Sequence, residues 1–179
     1  MKKLLAILLA LSMLLVFAAC KDNADDAGTT ISEVADPENK GPTNSEVMKM
    51  DSYYVYSPTE WSRATSSSDP NALTLYATRS VTDANSKTTT IDIKVEKNIS
   101  KAKSDQMFAE LLKAKSAQRS NGRIGGILCS IASYDDAGVE VQHYQVMMNS
   151  ANMMVIEVRA ENEETKPMTR LVLQSISFK

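Results

Sequence analysis

Between Thr90 and Val95 apolar and polar side chains alternate one for one: Ile91, Ile93 and Val95 fall on one side of an extended chain, Thr90, Asp92 and Lys94 on the other. A period of two residues is sustained only by a β-strand, and it asks for a sheet whose apolar face is packed. The wider stretch 88–96 belongs to this strand. Residues 72–79 repeat the rhythm, with Leu73, Leu75 and Ala77 set against Thr74, Tyr76 and Thr78. Asp83-Ala84-Asn85-Ser86 lies between them as a turn-forming cluster, so the two segments are expected to form an antiparallel hairpin.

The remaining segments fit around that hairpin. Residues 53–57 form a short aromatic strand that stops at Pro58. Met107, Phe108, Leu111 and Leu112 recur at helical spacing, which predicts a helix from Ser100 or Ser104 to Gln118, closed by Asn121-Gly122. Strands follow at 127–134, 139–148 and 153–160, divided by turns at 135–138 and 149–152. Glu161-Asn162-Glu163-Glu164 opens a last helix, where acids suit the positive end of the dipole and Pro167 fits only the first turn. Leu171, Val172 and Leu173 pack it down, and residues 176–178 finish as a short strand. A hairpin centred on Ser150-Ala151 places Met147, Val141 and Val139 on one face with Met154, Ile156 and Val158. It places Tyr144, Val146 and Met148 on the other with Met153 and Val155. Both faces carry apolar residues and need cover. The expected fold is therefore α+β: an antiparallel sheet of about six to seven strands flanked by two helices, an α/β/α sandwich in outline.

The amino-terminal segment has a different character. Lys2 and Lys3 precede fourteen residues, 4–17, of which only Ser12 is polar. Such a run is too short to span a bilayer, which takes about 20 apolar residues. Phe17-Ala18-Ala19-Cys20 then resembles the lipobox of bacterial lipoproteins, with Phe17 where Leu is usual. The resemblance implies cleavage before Cys20, acylation of its sulfur, and a mature protein anchored at the extracytoplasmic face of the cell membrane. The other reading is an ordinary secretory signal cut near Ala19 that leaves Cys20 a free thiol. Two acyl chains hold a protein stably where one is marginal. Residues 1–19 are accordingly the signal, and residues 20–50 the lipidated cysteine and a flexible tether. From 21 to 50 seven acids face three lysines, hydrophobes are sparse, and Gly28, Pro37, Gly41 and Pro42 punctuate the chain. Residues 51–179 make one domain with 15 basic and 15 acidic residues.

Several function classes lose support on composition alone. A neutral exported domain is a poor match for nucleic acid. With Cys129 the only cysteine of the domain, no disulfide forms inside it. His143 is the only histidine, which excludes a histidine metal cluster and a second imidazole for acid–base work. Cys129, between Leu128 and Ser130 in an apolar strand, has no sequence neighbour that would lower its pKa, so a buried inert thiol is expected. Pairing it with His143 as a nucleophile lacks an orienting acid. Met147, Met148, Met153 and Met154 flank one turn; thioethers bind cuprous ion, and they also fill cores and adaptable contact surfaces. The stretch 94–123 carries Lys94, Lys97, Lys101, Lys103, Lys113, Lys115, Arg119 and Arg123 against three acids, either a patch for anionic lipid or wall polymer or a solvated face. Gly122-Arg123-Ile124-Gly125-Gly126 lacks the spacing of a phosphate loop and is expected to be a flexible connection. No catalytic residue, metal ligand or cofactor is assigned.

The strand Tyr54-Val55-Tyr56-Ser57-Pro58 followed by Trp61, the central helix, the long meander and the closing Leu173-Gln174-Ser175-Ile176-Ser177-Phe178 together resemble the PsbP-like superfold. That superfold is shared by the photosystem protein PsbP, the Ran-binding Mog family and bacterial DcrB-type lipoproteins, and the likeness covers nearly all of 51–179. It implies a non-catalytic binding or scaffolding module. The expectation is a lipid-anchored module for another envelope protein, marked by exposed apolar residues at the methionine turn or between Pro58 and Trp61. The alternative is a small-ligand or anionic-polymer binder, with a pocket lined by Trp61 and the tyrosines.

Overall fold

The computed structural model describes residues 44–77 and 88–179. The signal segment, Cys20, most of the expected tether and the turn at 83–86 lie outside the described residues. Ten strands and two helices follow one another: β1 (Ser45–Lys49), β2 (Tyr53–Pro58), β3 (Ser62–Thr65), β4 (Leu73–Tyr76), β5 (Thr90–Lys97), α1 (Lys101–Lys115), β6 (Gln118–Ile124), β7 (Ile127–Asp135), β8 (Glu140–Met147), β9 (Asn152–Arg159), α2 (Lys166–Ser175) and β10 (Ser177–Phe178). Seven strands form one antiparallel sheet in the order β3-β4-β5-β9-β8-β7-β6, and β1-β2-β10 form a second, smaller one. The α+β class and the expected hairpin of β4 with β5 are both present, Leu73 opposing Ile93 and Leu75 opposing Ile91.

The large sheet is covered differently on its two sides. One face carries Leu73, Leu75, Ile91, Ile93, Val146, Met154, Ile156 and Val158, and these share a core with Tyr53 and Val55 of β2, Val172 of α2 and Ile176. The small sheet and α2 are thus the lid of the main core. The opposite face lies under α1, which buries only Ser104 and Phe108. Ser100 caps this helix by accepting a hydrogen bond from the Lys103 N–H at 3.3 Å, so Ser104 is free to face the sheet.

Four expectations are corrected. The tether ends earlier than residue 50: Ser45–Lys49 is paired along its length with β2, and Met50 is buried. Helix α1 stops at Lys115, because Ser116 turns left-handed (φ 50°) and the Ala117 N–H returns to the Leu112 carbonyl at 3.0 Å. Asn121-Gly122 consequently sits inside β6, and Gly125-Gly126 is a tight two-residue turn with both φ positive (55° and 78°), the primed geometry that matches strand twist. It is no loose connection, since a Cβ on Gly125 would lie 2.6 Å from the Phe178 ring and 2.7 Å from the Ile176 carbonyl. Finally, the β8–β9 hairpin turns on three residues. Asn149 Oδ1 accepts from the N–H groups of Ala151 and Asn152, both at 2.9 Å, which sets Met147 opposite Met153 and Val146 opposite Met154. One residue of slip exchanges the faces of a whole strand. Tyr144 and Val146 therefore share the main core with Met154 and Ile156, while Met147 and Val141 share the α1 face with Met153.

Candidate functional site

The face under α1 holds a continuous polar ladder. His143 and Glu157 are cross-strand partners on β8 and β9, and the His143 Nδ1 lies 3.1 Å from Glu157 Oε1. On the other side of the ring, Nε2 is 3.3 Å from Gln145 Nε2, and Gln145 Oε1 lies 3.5 Å from the Ser104 hydroxyl of α1. A neutral imidazole that donates from Nδ1 and accepts at Nε2 satisfies every bond in this run. From Glu157 the ladder continues through Arg159 to Asp136, at 3.4 and 2.6 Å, and from Asp136 to Lys115 at 2.9 Å. Both ends of α1 are thereby tied to the sheet. The hydrogen bond from His143 holds the Glu157 carboxyl below its usual value, against the opposing effect of burial. Lys115 and Arg159 lower that of Asp136 in the same way.

This arrangement separates the two side chains that could have formed a nucleophile and base. Cys129 opposes Val146 and projects into the main core, whereas His143 projects beneath α1, so the sheet lies between them. Burial pushes the Cys129 thiol up, with the Gly122 backbone only partly offsetting it. The methionines divide likewise: Met153 and Met154 are fully buried on opposite faces, so no three thioethers of the turn converge. Among the described residues, no group of three or more His, Cys, Asp or Glu is arranged to hold a metal.

Trp61 and Tyr53 belong to the core, Tyr56 is equally buried, and none of the three lines the cavities beside β6; Pro58 is buried too. The basic stretch is dispersed. Lys101 pairs with Asp105, Lys115 with Asp136, Arg119 lies 5.6 Å over the Phe108 ring, and Arg123 donates to the Gly126 carbonyl at 2.8 Å. Lys97, Lys103 and Lys113 make no ion pair among the described residues.

What sequence reasoning missed is the margin of the sheet. Strand β6 is polar on both faces and exposed from Gln118 to Asn121, yet cavities gather around it. On the α1 side, a cavity of about 310 Å³ is lined by Ser104, Asn121, Leu128, Gln145 and Met147. A neighbouring one of about 340 Å³, sharing Lys101 and Asp105, reaches Phe108, Leu112 and Arg119. On the α2 side, an open cleft of about 300 Å³ is lined by Gly122, Arg123, Ile131, Tyr144, Leu173 and Gln174. Lys166, Arg170 and Glu161 complete that wall, and burial raises the Glu161 carboxyl despite the nearby Lys166 charge. Leu128, at the first cavity, is 67% exposed, the most exposed large apolar side chain among the described residues. The only sequence signal for this region was negative, a strand-length polar segment with neither a helical nor a strand period.

No family model matches this chain, and no curated protein matches it. Solved structures similar to it include a protein of Bacteroides thetaiotaomicron, 13% identical with a TM-score of 0.48, where 71% of this chain is matched to 45% of that one. The chain thus spans less than half the length of that relative. They also include LpqN, involved in cell envelope biogenesis of Mycobacterium tuberculosis, 15% identical with a TM-score of 0.48 over 78% of this chain and 86% of that one.

Proposed function

We propose that this chain is a lipoprotein anchored through Cys20 at the extracytoplasmic face of the cell membrane, and that its folded unit is a non-catalytic binding or accessory module for another envelope protein. The anchor reading rests on Phe17-Ala18-Ala19-Cys20 behind an apolar segment, since two acyl chains on one sulfur suffice to hold a protein at a bilayer. One observation carries the binding reading: the imidazole and the thiol are held apart. His143 is held on both ring nitrogens by a ladder of hydrogen bonds under α1, the Cys129 side chain is buried on the other face of the sheet, and the cavities along β6 lie between charged walls that carry Lys101, Asp105, Glu161, Lys166 and Arg170. The resemblance to the PsbP-like superfold points the same way.

A second reading, a small-ligand or anionic-polymer binder, draws on the α2-side cavity, whose wall brings Lys166 and Arg170 beside the buried Gln174 Oε1. Two measurements test these proposals. Cys20→Ala is expected to move the protein from the membrane to the aqueous fraction; a variant that still sediments with membranes overturns the anchor. The full-length lipidated protein, isolated from native membranes, is expected to bring down a protein that rebinds after separate purification. If nothing rebinds while wall polymer is taken up saturably, the second reading replaces the first.

A further inference from the structure

We infer that the outer edge of β6 is a strand-addition site for an extended, acidic segment of a partner protein; the inference rests on the binding-module reading and names the surface that serves it. Among the described residues strand β6 ends the seven-strand order and pairs only with β7, in unbroken register from Gln118 opposite Ser133 to Ile124 opposite Ile127. Its outer side therefore presents a row of main-chain N–H and C=O groups, the template on which another strand forms. Of the other margins, β3 and β10 are short, and β1, five residues long, is met at Glu46 and Met48 by Arg63 of β3. Strand β3 has four residues, and Arg63 ties it to β1 by an ion pair with Glu46 at 2.6 Å and a contact with Met48. Strand β10 has two. Edges are commonly blunted by proline, charged side chains, a bulge or a covering element. Among the described residues β6 has neither proline nor bulge; its charged side chains are Arg119 and Arg123, which repel a cationic strand and admit an acidic one.

Charge selects the occupant. An added strand sends alternate side chains to the two faces, and on both faces of β6 it meets a cavity. The charged residues of those walls are Lys101, Arg119, Arg123, Lys166 and Arg170 against Asp105 and Glu161, a cationic balance. Pairing β6 with a second copy of itself would oppose Arg119 and Arg123 to the same arginines, which repels; an acidic segment is attracted. Two further features set the side chains. Exposed Leu128 and half-buried Met147 offer apolar contact on the α1 side. On the α2 side Gln174 Oε1 is buried with no hydrogen-bond partner among the described residues, an acceptor that a serine, threonine or asparagine of the added strand can satisfy.

The test uses full-length protein in detergent micelles and a synthetic peptide, acetylated and amidated, that alternates valine with glutamate and threonine. Saturable, salt-sensitive binding is expected, with hydrogen-exchange protection appearing at the β6 amides. Replacing glutamate by lysine in the peptide should weaken binding about tenfold or more, and Arg119→Glu with Arg123→Glu should reverse that preference. Methylating alternate peptide nitrogens should abolish binding in one phase and spare it in the other, because only every second N–H of an added strand faces β6. Absence of binding, binding without protection of β6, or indifference to both N-methyl phases would overturn the assignment. The module reading is judged separately: a native partner captured equally by wild type and by the arginine double variant sinks the β6 site and leaves the module standing.

Discussion

The face of the large sheet that meets β2 and α2 is dry, whereas the face under α1 is wired. On the first, Leu75, Ile91, Val146, Met154 and Ile156 are excluded from water within one apolar cluster. On the second, Gln145, His143, Glu157 and Arg159 alternate between apolar Val141 and Met153 and bond to one another in sequence. Burial of apolar area is undirected and would tolerate several registers. The ladder would not, because a slip of one residue in β8 would drive His143 and Gln145 into the dry core with their bonds unmade, at about 1–3 kcal/mol for each orphaned group. The dry face supplies stability and the wired face supplies specificity, fixing both the strand register and the seat of α1.

The largest expected effect is on the dry side. Ile156→Ala, at a fully buried position, should lower unfolding free energy by about 2–5 kcal/mol, read as a fall in the urea midpoint with an unchanged slope. A cost under about 1 kcal/mol would mean that this core is loosely packed. Gln145→Ala comes next, at about 1–3 kcal/mol, since it strips partners from both Ser104 and His143. Its signature is local: hydrogen exchange should quicken in α1 more than in β4 and β5. Uniform quickening would show that the ladder does not position the helix.

The dry face is also the part that could be read from the sequence. The alternation of 73–77 and 91–95 located β4 and β5 because each buries one side only, and alternating patterns report that contrast directly. The segments that escaped are margins. Strand β1 has just Val47 and Met48 as apolar members and sits in an acidic, glycine- and proline-punctuated stretch; β3 is exposed throughout; β6 buries Ile124 alone. A strand that packs at only one or two positions leaves no hydrophobic rhythm. The β8–β9 register was invisible for another reason. Whether that hairpin turns on two residues or three depends on the Asn149 side chain capturing two amides, a choice that no periodicity in the flanking strands records. The candidate site inherits this blindness, being made of β6 and what lies beside it.

Two glutamates turn the comparison into opposite responses to pH. Glu157, in the ladder, has its folded pKa depressed by the hydrogen bond from His143. Its contribution is complete above the usual value of about 4.5 and disappears as pH falls through the lower folded value. Glu157→Gln should therefore cost about 1 kcal/mol near neutrality and progressively less on acidification, as the wild type loses what the variant never had. Convergence of the two denaturation midpoints at low pH is the observation required; parallel midpoints down to about pH 3 would assign the loss to shape rather than charge.

Glu161 gives the smallest effect and the reverse slope. It lies at the wall of the α2-side cavity, where burial disfavours its charged form and raises its folded pKa. With both states protonated in acid, it costs nothing there; stability is lost as pH climbs from the usual value of about 4.5 through the raised folded value. Glu161→Gln should consequently stabilise the protein near neutrality, by about 0.5 kcal/mol, and have no effect in acid. If Glu161→Gln leaves stability flat from acid to neutral pH, then water already solvates the carboxylate, and the α2-side cavity is open enough to be surface.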